Sequence, residues 1–340
     1  MRRLLLSVAW FAPAAALHAA PTMVPGLGSI ADRYDAFLLD QFGVLHDGKR
    51  AVPGAVECFE NLFASRKRLI VLSNTSRRRA FALKKLPALG FEASHLTGFV
   101  TSGEAAWEHV RTCFTGKRCL WISWDDTFMA WDPRYLDGLD VTLADAADAD
   151  FVLLQGSQCM RGGSTRSTGL FETGEAGEAL LAELKTCAAR GLPMVCANPD
   201  LTVRLPDGST GHMPGKIAAV YEQLLEESSE AAPAAEGSAE GRKGEAGYIT
   251  YFGKPYRPAF DEALRLLGPD IDPSRVLHCG DSLHHDVAGA NAAGIHSLFV
   301  AGGIHADELP PEGQLSSEAL SRLFDEEGIA PTLSVEKFVW

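Results

Sequence analysis

Basic residues are the scarcer sign in this chain, Cys-x-x-Cys pairs are missing, and no repeat of fixed period runs through it. Thirty-one Lys and Arg against 44 Asp and Glu leave a formal charge of −13, the wrong sign for broad binding to a phosphate backbone. An anionic ligand would therefore need a local positive site. The seven cysteines, Cys58, Cys113, Cys119, Cys159, Cys187, Cys196 and Cys279, are odd in number and scattered. That argues against a disulfide framework and fits small core residues in a reducing compartment. Long apolar runs are also lacking: the roughly 14-residue stretch within residues 1–20 is too short to span a bilayer comfortably.

Residues 1–20 combine two arginines, that apolar stretch broken by Pro13, and small residues at a cleavage-like site, with no acid before Asp32. The pattern is that of a targeting segment. It predicts an organelle, plastid or mitochondrion, with secretion and the cytoplasm as alternatives; the cysteine usage favours an organelle interior over secretion.

What is present is enough chain for two domains, 340 residues of which 46% are hydrophobic. Short apolar strands alternate with helical stretches: strand 36 to 40, helix 54 to 65, strand 69 to 73, helix 76 to 89 and strand 97 to 101. The rhythm resumes with strand 248 to 252, helix 258 to 267, strand 276 to 279, helix 286 to 293, strand 297 to 300 and helix 316 to 326. This predicts βαβ units on one parallel sheet. The core is expected in two parts, 30–103 and 248–340, interrupted by a second α/β domain at 104–246. Within that insertion the pattern predicts strands at 118 to 123, 151 to 155 and 193 to 197, helices at 175 to 190 and 215 to 227, and a hairpin over 202 to 210. Residues 226–247, rich in Glu, Ala, Gly and Ser, read as a disordered loop.

Four pieces suit phosphoryl transfer through an aspartyl-phosphate. Asp40 ends an apolar strand beside a glycine turn, where parallel-sheet enzymes keep their chemistry; its carboxylate can attack phosphorus while another of its oxygens binds a metal. The plainer reading is an acid capping a turn. Ser73 and Asn74 end a second strand and can hold a phosphate oxygen, or merely cap a helix. Lys254, in Phe252-Gly253-Lys254-Pro255, can neutralise the nucleophile and the developing phosphoryl charge, or be an exposed turn lysine. Asp281 and Asp286 straddle a strand-to-helix turn, which lets one acid meet a hard cation and the other a water or Lys254. Mg²⁺ suits such oxygen ligands together with substrate phosphate.

The order DQFGV, LSN, FGKP and GDSLHHD resembles motifs I to IV of the haloacid dehalogenase-like (HAD) superfamily. The insertion between the second and third motifs, with VLHDGKRAVPGAVE, CANPD and HMPGKIAAVYE, resembles class IIA, the C2-capped NagD-like phosphatases. The likeness spans roughly residues 30 to 303. It implies a Rossmann-like parallel-sheet α/β core with an inserted C2-type α/β cap, and a Mg²⁺-dependent phosphatase acting on a small phosphorylated metabolite. It further implies Asp40 as nucleophile, Ser73 and Asn74 as the phosphate-binding pair, Lys254 as the neutralising lysine, and Asp281 with Asp286 as the acids of the metal site. Asn198 and Asp200 match the cap loop that faces the core, as candidates for substrate selection or as a plain turn after a buried strand. Nucleic acid and stable membrane insertion are not expected, and a homodimer is left open.

One position departs from the family pattern. Phosphatases of the family carry, two residues after the nucleophile, an aspartate that protonates the leaving group and activates water; here that residue is Phe42. The metal contact the family makes there uses a backbone carbonyl, which Phe42 retains, but acid/base help typically worth about 10² to 10⁴ in rate is gone. His46, Asp47, His284 and His285 are the nearby groups for a displaced role, with a structural role in the flap favoured for His46 and Asp47. A phosphometabolite-binding protein without turnover is the second reading, and a 2-haloacid dehalogenase the third. Trp107, Trp121, Trp124 and Trp131 read as core aromatics of the cap, and Gly302-Gly303 as a loop near the site.

Overall fold

The computed structural model describes residues 22–205, 207–231 and 248–340. The targeting segment expected at 1–20 lies outside them, as does most of the loop expected at 226–247.

Seven parallel strands form the first sheet, in the order Thr22–Met23, Leu333–Val335, His296–Val300, Val276–Gly280, Ala36–Leu39, Arg68–Ser73 and Gly98–Thr101. From Ala36–Leu39 the chain runs outward through Arg68–Ser73 on one side, while Val276–Gly280 lies on the other. The sheet therefore changes winding direction beside Asp40, the position where open α/β sheets bind ligands. Leu39 pairs with both Val71 and Cys279, so Asp40, Asn74 and Asp281 leave three adjacent strands at the same edge.

All four residues of Ala36–Leu39 are buried because helices cover both faces. Alternate residues face opposite sides: Phe37, Leu39, Leu69 and Val71 pack with Phe59 and Leu62 of helix Ala55–Ala64. Leu38, Ile70 and Leu72 pack with Phe260, Ala263 and Leu267 of helix Arg257–Leu267. That is the two-residue period of a strand expressed as two cores. Helix Ser317–Glu327 adds a third patch, with Phe324 set edge-on to Phe299 at 5.4 Å.

The second domain is built on strands Ile249–Tyr251, Met194–Cys196, Phe151–Leu154 and Lys117–Ser123, all parallel, extended by antiparallel Cys159–Arg161 and Thr165–Ser167. Val141–Leu143 also pairs with Lys117–Ser123, and Thr202–Arg204 with Thr210–His212 forms the separate hairpin expected near there. Leu180, Leu184, Ile217 and Tyr221, from helices Glu178–Ala189 and Pro214–Ala231, cover one face. At the junction of the domains, Trp124 Nε1 donates to Ser76 Oγ at 2.9 Å, fully buried.

Several boundaries differ from those expected. Strand Ile249–Tyr251 pairs with Met194–Cys196 and so belongs to the cap sheet, not the core. The core sheet is parallel and so is the cap sheet where it takes this strand, and a short apolar strand carries no mark of which one it joins. Helix Ser102–Cys113 was not foreseen; its Ala106, Trp107 and Val110 pack on Cys119, Trp121 and Phe151 of the cap. The Thr101 side chain caps it by accepting from Glu104 N, a Thr-x-x-Glu signal that sequence can show. The cap therefore covers about 102–252 rather than 104–246. The helix expected at 76–89 is only Arg79–Leu83 followed by a 3-10 turn at Pro87–Leu89, ended by Gly90 at φ 92. Helix 286–293 begins earlier, as a π turn over Leu283–Val287. Helix Pro214–Ala231 runs through the first residues assigned to a loop. Six cysteines are buried as expected, whereas Cys113 is exposed on its helix; all seven are free thiols.

Phe37→Ala, at a position with 0% exposure, is expected to cost about 3–5 kcal/mol. The urea midpoint of the core transition reads it, and a shift worth less than about 1 kcal/mol would contradict this packing.

Candidate active site

Lys254 is 2% exposed and its Nζ lies 2.5 Å from Asp40 Oδ1 and 2.7 Å from Asp286 Oδ1. Its position is set from both sides of its backbone: Asn74 Oδ1 accepts from Lys254 N at 2.7 Å, and Asn74 Nδ2 donates to Lys254 O at 2.9 Å. Asn74 Nδ2 also donates to Asp200 Oδ1 at 2.7 Å, which ties the cap loop to the core. Asp286 is equally constrained, with Oδ1 2.7 Å from His278 Nε2 and Oδ2 accepting from Ser282 N at 3.0 Å. Asp281 Oδ2 accepts from Ile304 N at 2.7 Å. Gly43, at φ +79, and Gly303 leave room for that carboxylate; a Cβ on either would overlap it.

Oxygens of Asp40, Asp281 and Asp286 lie within 4.8 Å of one another. Burial, then the neighbouring Asp286 charge, pushes the Asp40 carboxyl up to about 7 against the pull of Lys254. Asp281 stands well above the ordinary carboxylate range, through burial and then the charges of Asp40 and Asp286. Burial acts on Asp286 too, but Lys254 and His278 outweigh it and hold that acid below the usual range. Lys254 is raised because Asp286 and Asp40 outweigh its own burial. Three buried carboxylates against one lysine form an all-oxygen donor set with surplus negative charge, which fits a hard divalent cation. Asp40 and Asp281 are the acids left to meet it, since both Asp286 oxygens are already engaged.

The remaining predicted residues divide. Ser73, Asn74, Asn198, Asp200, Phe42 and His285 all line one cavity of about 450 Å³ between cap and core, together with the three acids and Lys254. Ser73 Oγ accepts from Thr75 N at 3.2 Å, and Asn198 Oδ1 from Asp200 N at 2.8 Å, so both also shape their own loops. Asn74, expected on phosphate, spends its amide on Lys254 and Asp200. The Phe42 ring sits edge-on to His46 at 5.6 Å. His46 Nδ1 accepts from Gly48 N at 3.0 Å, and burial, then the charge of Lys85, holds the imidazole near pKa 4. It is a neutral strut of the flap, and Asp47 caps the next turn through Lys49 N and Arg50 N. His284 reaches Glu327 on the surface, whereas His285 lies 3.6 Å from Asp200. Sequence reasoning missed His278, whose signal was a lone histidine inside an apolar strand. It also missed the apolar cavity wall of Trp124, Phe128, Met129 and Met213.

Two family models match: haloacid dehalogenase-like hydrolase over residues 37–130 and HAD-hydrolase-like over residues 251–319. A haloacid dehalogenase-like family hydrolase from Brucella suis 1330 is 26% identical with a TM-score of 0.68, covering 93% of this chain and 100% of its own. A possible sugar phosphatase from Cytophaga hutchinsonii shares 20% identity and a TM-score of 0.65 over 94% of this chain and 99% of its own. The p-nitrophenyl phosphatase from Archaeoglobus fulgidus shares 20% identity and a TM-score of 0.60 over 90% and 97%. No curated protein matches. The chain thus carries two haloacid dehalogenase-like hydrolase segments and shares with these structures a parallel-sheet core and an inserted cap.

A carboxyl whose folded pKa is raised favours folding while protonated, and that advantage is lost as pH rises from about 4 through its folded value, about 7 for Asp40. Without metal, Asp281→Asn is therefore expected to melt higher than wild type at pH 8, with the gap closing toward pH 4. Adding Mg²⁺ at pH 8 should raise the melting temperature of wild type and not of the variant. A variant that melts lower at pH 8 yet still responds to Mg²⁺ would contradict this charge balance.

Proposed function

We propose that this chain is a Mg²⁺-dependent phosphoric monoester hydrolase that acts on a small phosphorylated metabolite through an aspartyl-phosphate on Asp40. The observation that carries this reading is Lys254, buried between Asp40 and Asp286 beneath a cap, with Asp281 alongside. The phosphatase names borne by several similar structures agree with it.

In this reading the carboxylate of Asp40 attacks phosphorus, a P–O(aspartyl) bond forms and the ester P–O bond breaks. Lys254 offsets charge on the nucleophile and on the phosphoryl oxygens. Asp286 and His278 hold Lys254 in place, and Ser73 bounds the phosphate pocket. Mg²⁺, held by Asp40, Asp281 and the Phe42 carbonyl with Asp286 behind them, would supply further charge neutralisation at the phosphate. The departing oxygen takes its proton from water, since Phe42 has none to give, and a second water attacks phosphorus to release inorganic phosphate and restore Asp40. Leaving groups that need no protonation should react best. Asn198 and Asp200 would select the substrate as the cap closes and excludes water.

The Phe42 ring gives the second reading its support: an intact anion and metal site without acid/base help would bind a phosphometabolite and not cleave it. One assay series separates the two, Mg²⁺-dependent hydrolysis of 4-nitrophenyl phosphate and of the poorer leaving group in phenyl phosphate by wild type, Asp40→Asn and Phe42→Asp. Wild type should turn over slowly and Asp40→Asn not at all, while Phe42→Asp should gain about 10² to 10⁴ in rate with poor leaving groups. No turnover by wild type, alongside Mg²⁺-dependent binding of a phosphate analogue, would establish the binding role instead. Metal-independent halide release from 2-haloacids would establish a dehalogenase.

A further inference from the structure

Among the described residues, four Lys and Arg side chains line the cavity between cap and core: Lys254, Arg204, Arg77 and Lys85. Two are spoken for, Lys254 by Asp40 and Asp286, and Arg204 by Asp307, with Nη1 to Oδ2 at 2.8 Å. Arg77 and Lys85 form no ion pair among the described residues, and Arg77 Nε is buried without a hydrogen-bond partner. The acids nearest in charge are already engaged. Asp132 accepts from the backbone N–H groups of Arg78 and Arg134, each at 3.1 Å, and Asp47 from those of Lys49 and Arg50, each at 2.7 Å.

Burial lowers the pKa of both cations, and the charge of Arg77 lowers that of Lys85 further. Both also disfavour a proton on His46, after its burial, and they line the same cavity as that imidazole and the Phe42 ring packed on it. Two like charges, half-buried and with no carboxylate in ion-pair contact, are unfavourable for folding, even though the more distant Asp132 and Asp47 offset part of that cost. In a chain of net charge −13 they form a local positive site of the kind an anionic ligand needs. The lining of the same cavity also includes the apolar Val52, Ala82, Phe128 and Met129.

We propose that Arg77 and Lys85 form a second anion subsite in this cavity, so that the substrate is a phosphomonoester with an apolar body and a second anionic group, a carboxylate or another phosphate. This rests on the Asp40 end being the phosphate site. The cavity, about 450 Å³, falls within the size range of small-molecule pockets. A charge-assisted contact from the guanidinium and one from the ammonium would discriminate such a ligand from its neutral analogue by about tenfold or more.

The test uses full-length Asp40→Asn protein with Mg²⁺ and compares, by calorimetry, 4-carboxyphenyl phosphate with its neutral isostere 4-carbamoylphenyl phosphate. The carboxylate should bind at least tenfold tighter. Adding Arg77→Gln or Lys85→Gln should remove most of that preference and leave the amide ligand within about threefold; Lys85→Gln, in the turn after helix Arg79–Leu83, guards against a folding defect at Arg77. Phenyl-1,4-bisphosphate distinguishes a site that prefers phosphate from one that prefers carboxylate, and a gain with either supports the subsite. Equal binding of all three ligands, or a preference that survives both substitutions, overturns it. Wild-type hydrolysis of 4-nitrophenyl phosphate, whose leaving group needs no protonation, reads the phosphatase proposal separately: its absence with the anion preference intact would sink turnover and leave the subsite standing. Binding of none of the three ligands would overturn both.

Discussion

Lys254 between Asp40 and Asp286 is the interaction on which the rest of the site depends. Each of these groups is costly to bury alone, and removing one partner of such a set typically costs about 3–5 kcal/mol by stranding the others. The surrounding structure supplies what the lysine needs: two hydrogen bonds from Asn74 to its backbone, and His278 with Ser282 N on the far side of Asp286. The parallel sheet makes that geometry available, because strands at its switch point release Asp40, Asn74 and Asp281 at one edge. Asp281 is the remainder of the balance, an acid with no cationic side chain bonded to it and a carboxyl raised by burial and like charge. That surplus is what a divalent cation would offset.

The same residues bind the cap to the core. Asn74 holds Lys254 with one end of its amide and shares the other between Lys254 and Asp200, so the lysine and the cap loop are positioned by one side chain. Trp124 to Ser76 and Arg204 to Asp307 add further links around the cavity. In the proposed reading, substrate choice and phosphate chemistry therefore meet at adjacent atoms, and Phe42 lines the same cavity. An apolar ring in place of an acid gives that cavity a surface suited to an organic group.

Much of the core and site was legible in the sequence because each motif sits where an apolar strand meets a polar turn. Phe37-Leu38-Leu39-Asp40 and Val276-Leu277-His278-Cys279 show burial on two faces followed by an acid, and the structure joins those strands. Sheet membership was not legible: Ile249-Thr250-Tyr251 reads the same whether it pairs with the core or, as it does, with Met194–Cys196. Side-chain partners were also hidden. Asn74 looks like a phosphate ligand until Lys254, 180 residues on, takes its amide. His278 looks like a core residue until Asp286 turns back to it. Nothing in their spacing marks Arg77 and Lys85, and only the structure places both on the cavity with no ion pair among the described residues.

The central claim is that Asp40 carries the phosphoryl group. Full-length protein mixed with Mg²⁺ and 4-nitrophenyl phosphate, quenched in acid and digested, should show by mass spectrometry one phosphoryl group on the peptide containing Asp40. That adduct should build up because Phe42 cannot activate the water that removes it. Release of 4-nitrophenol with no adduct there, or with the phosphoryl group on another residue, would contradict the account.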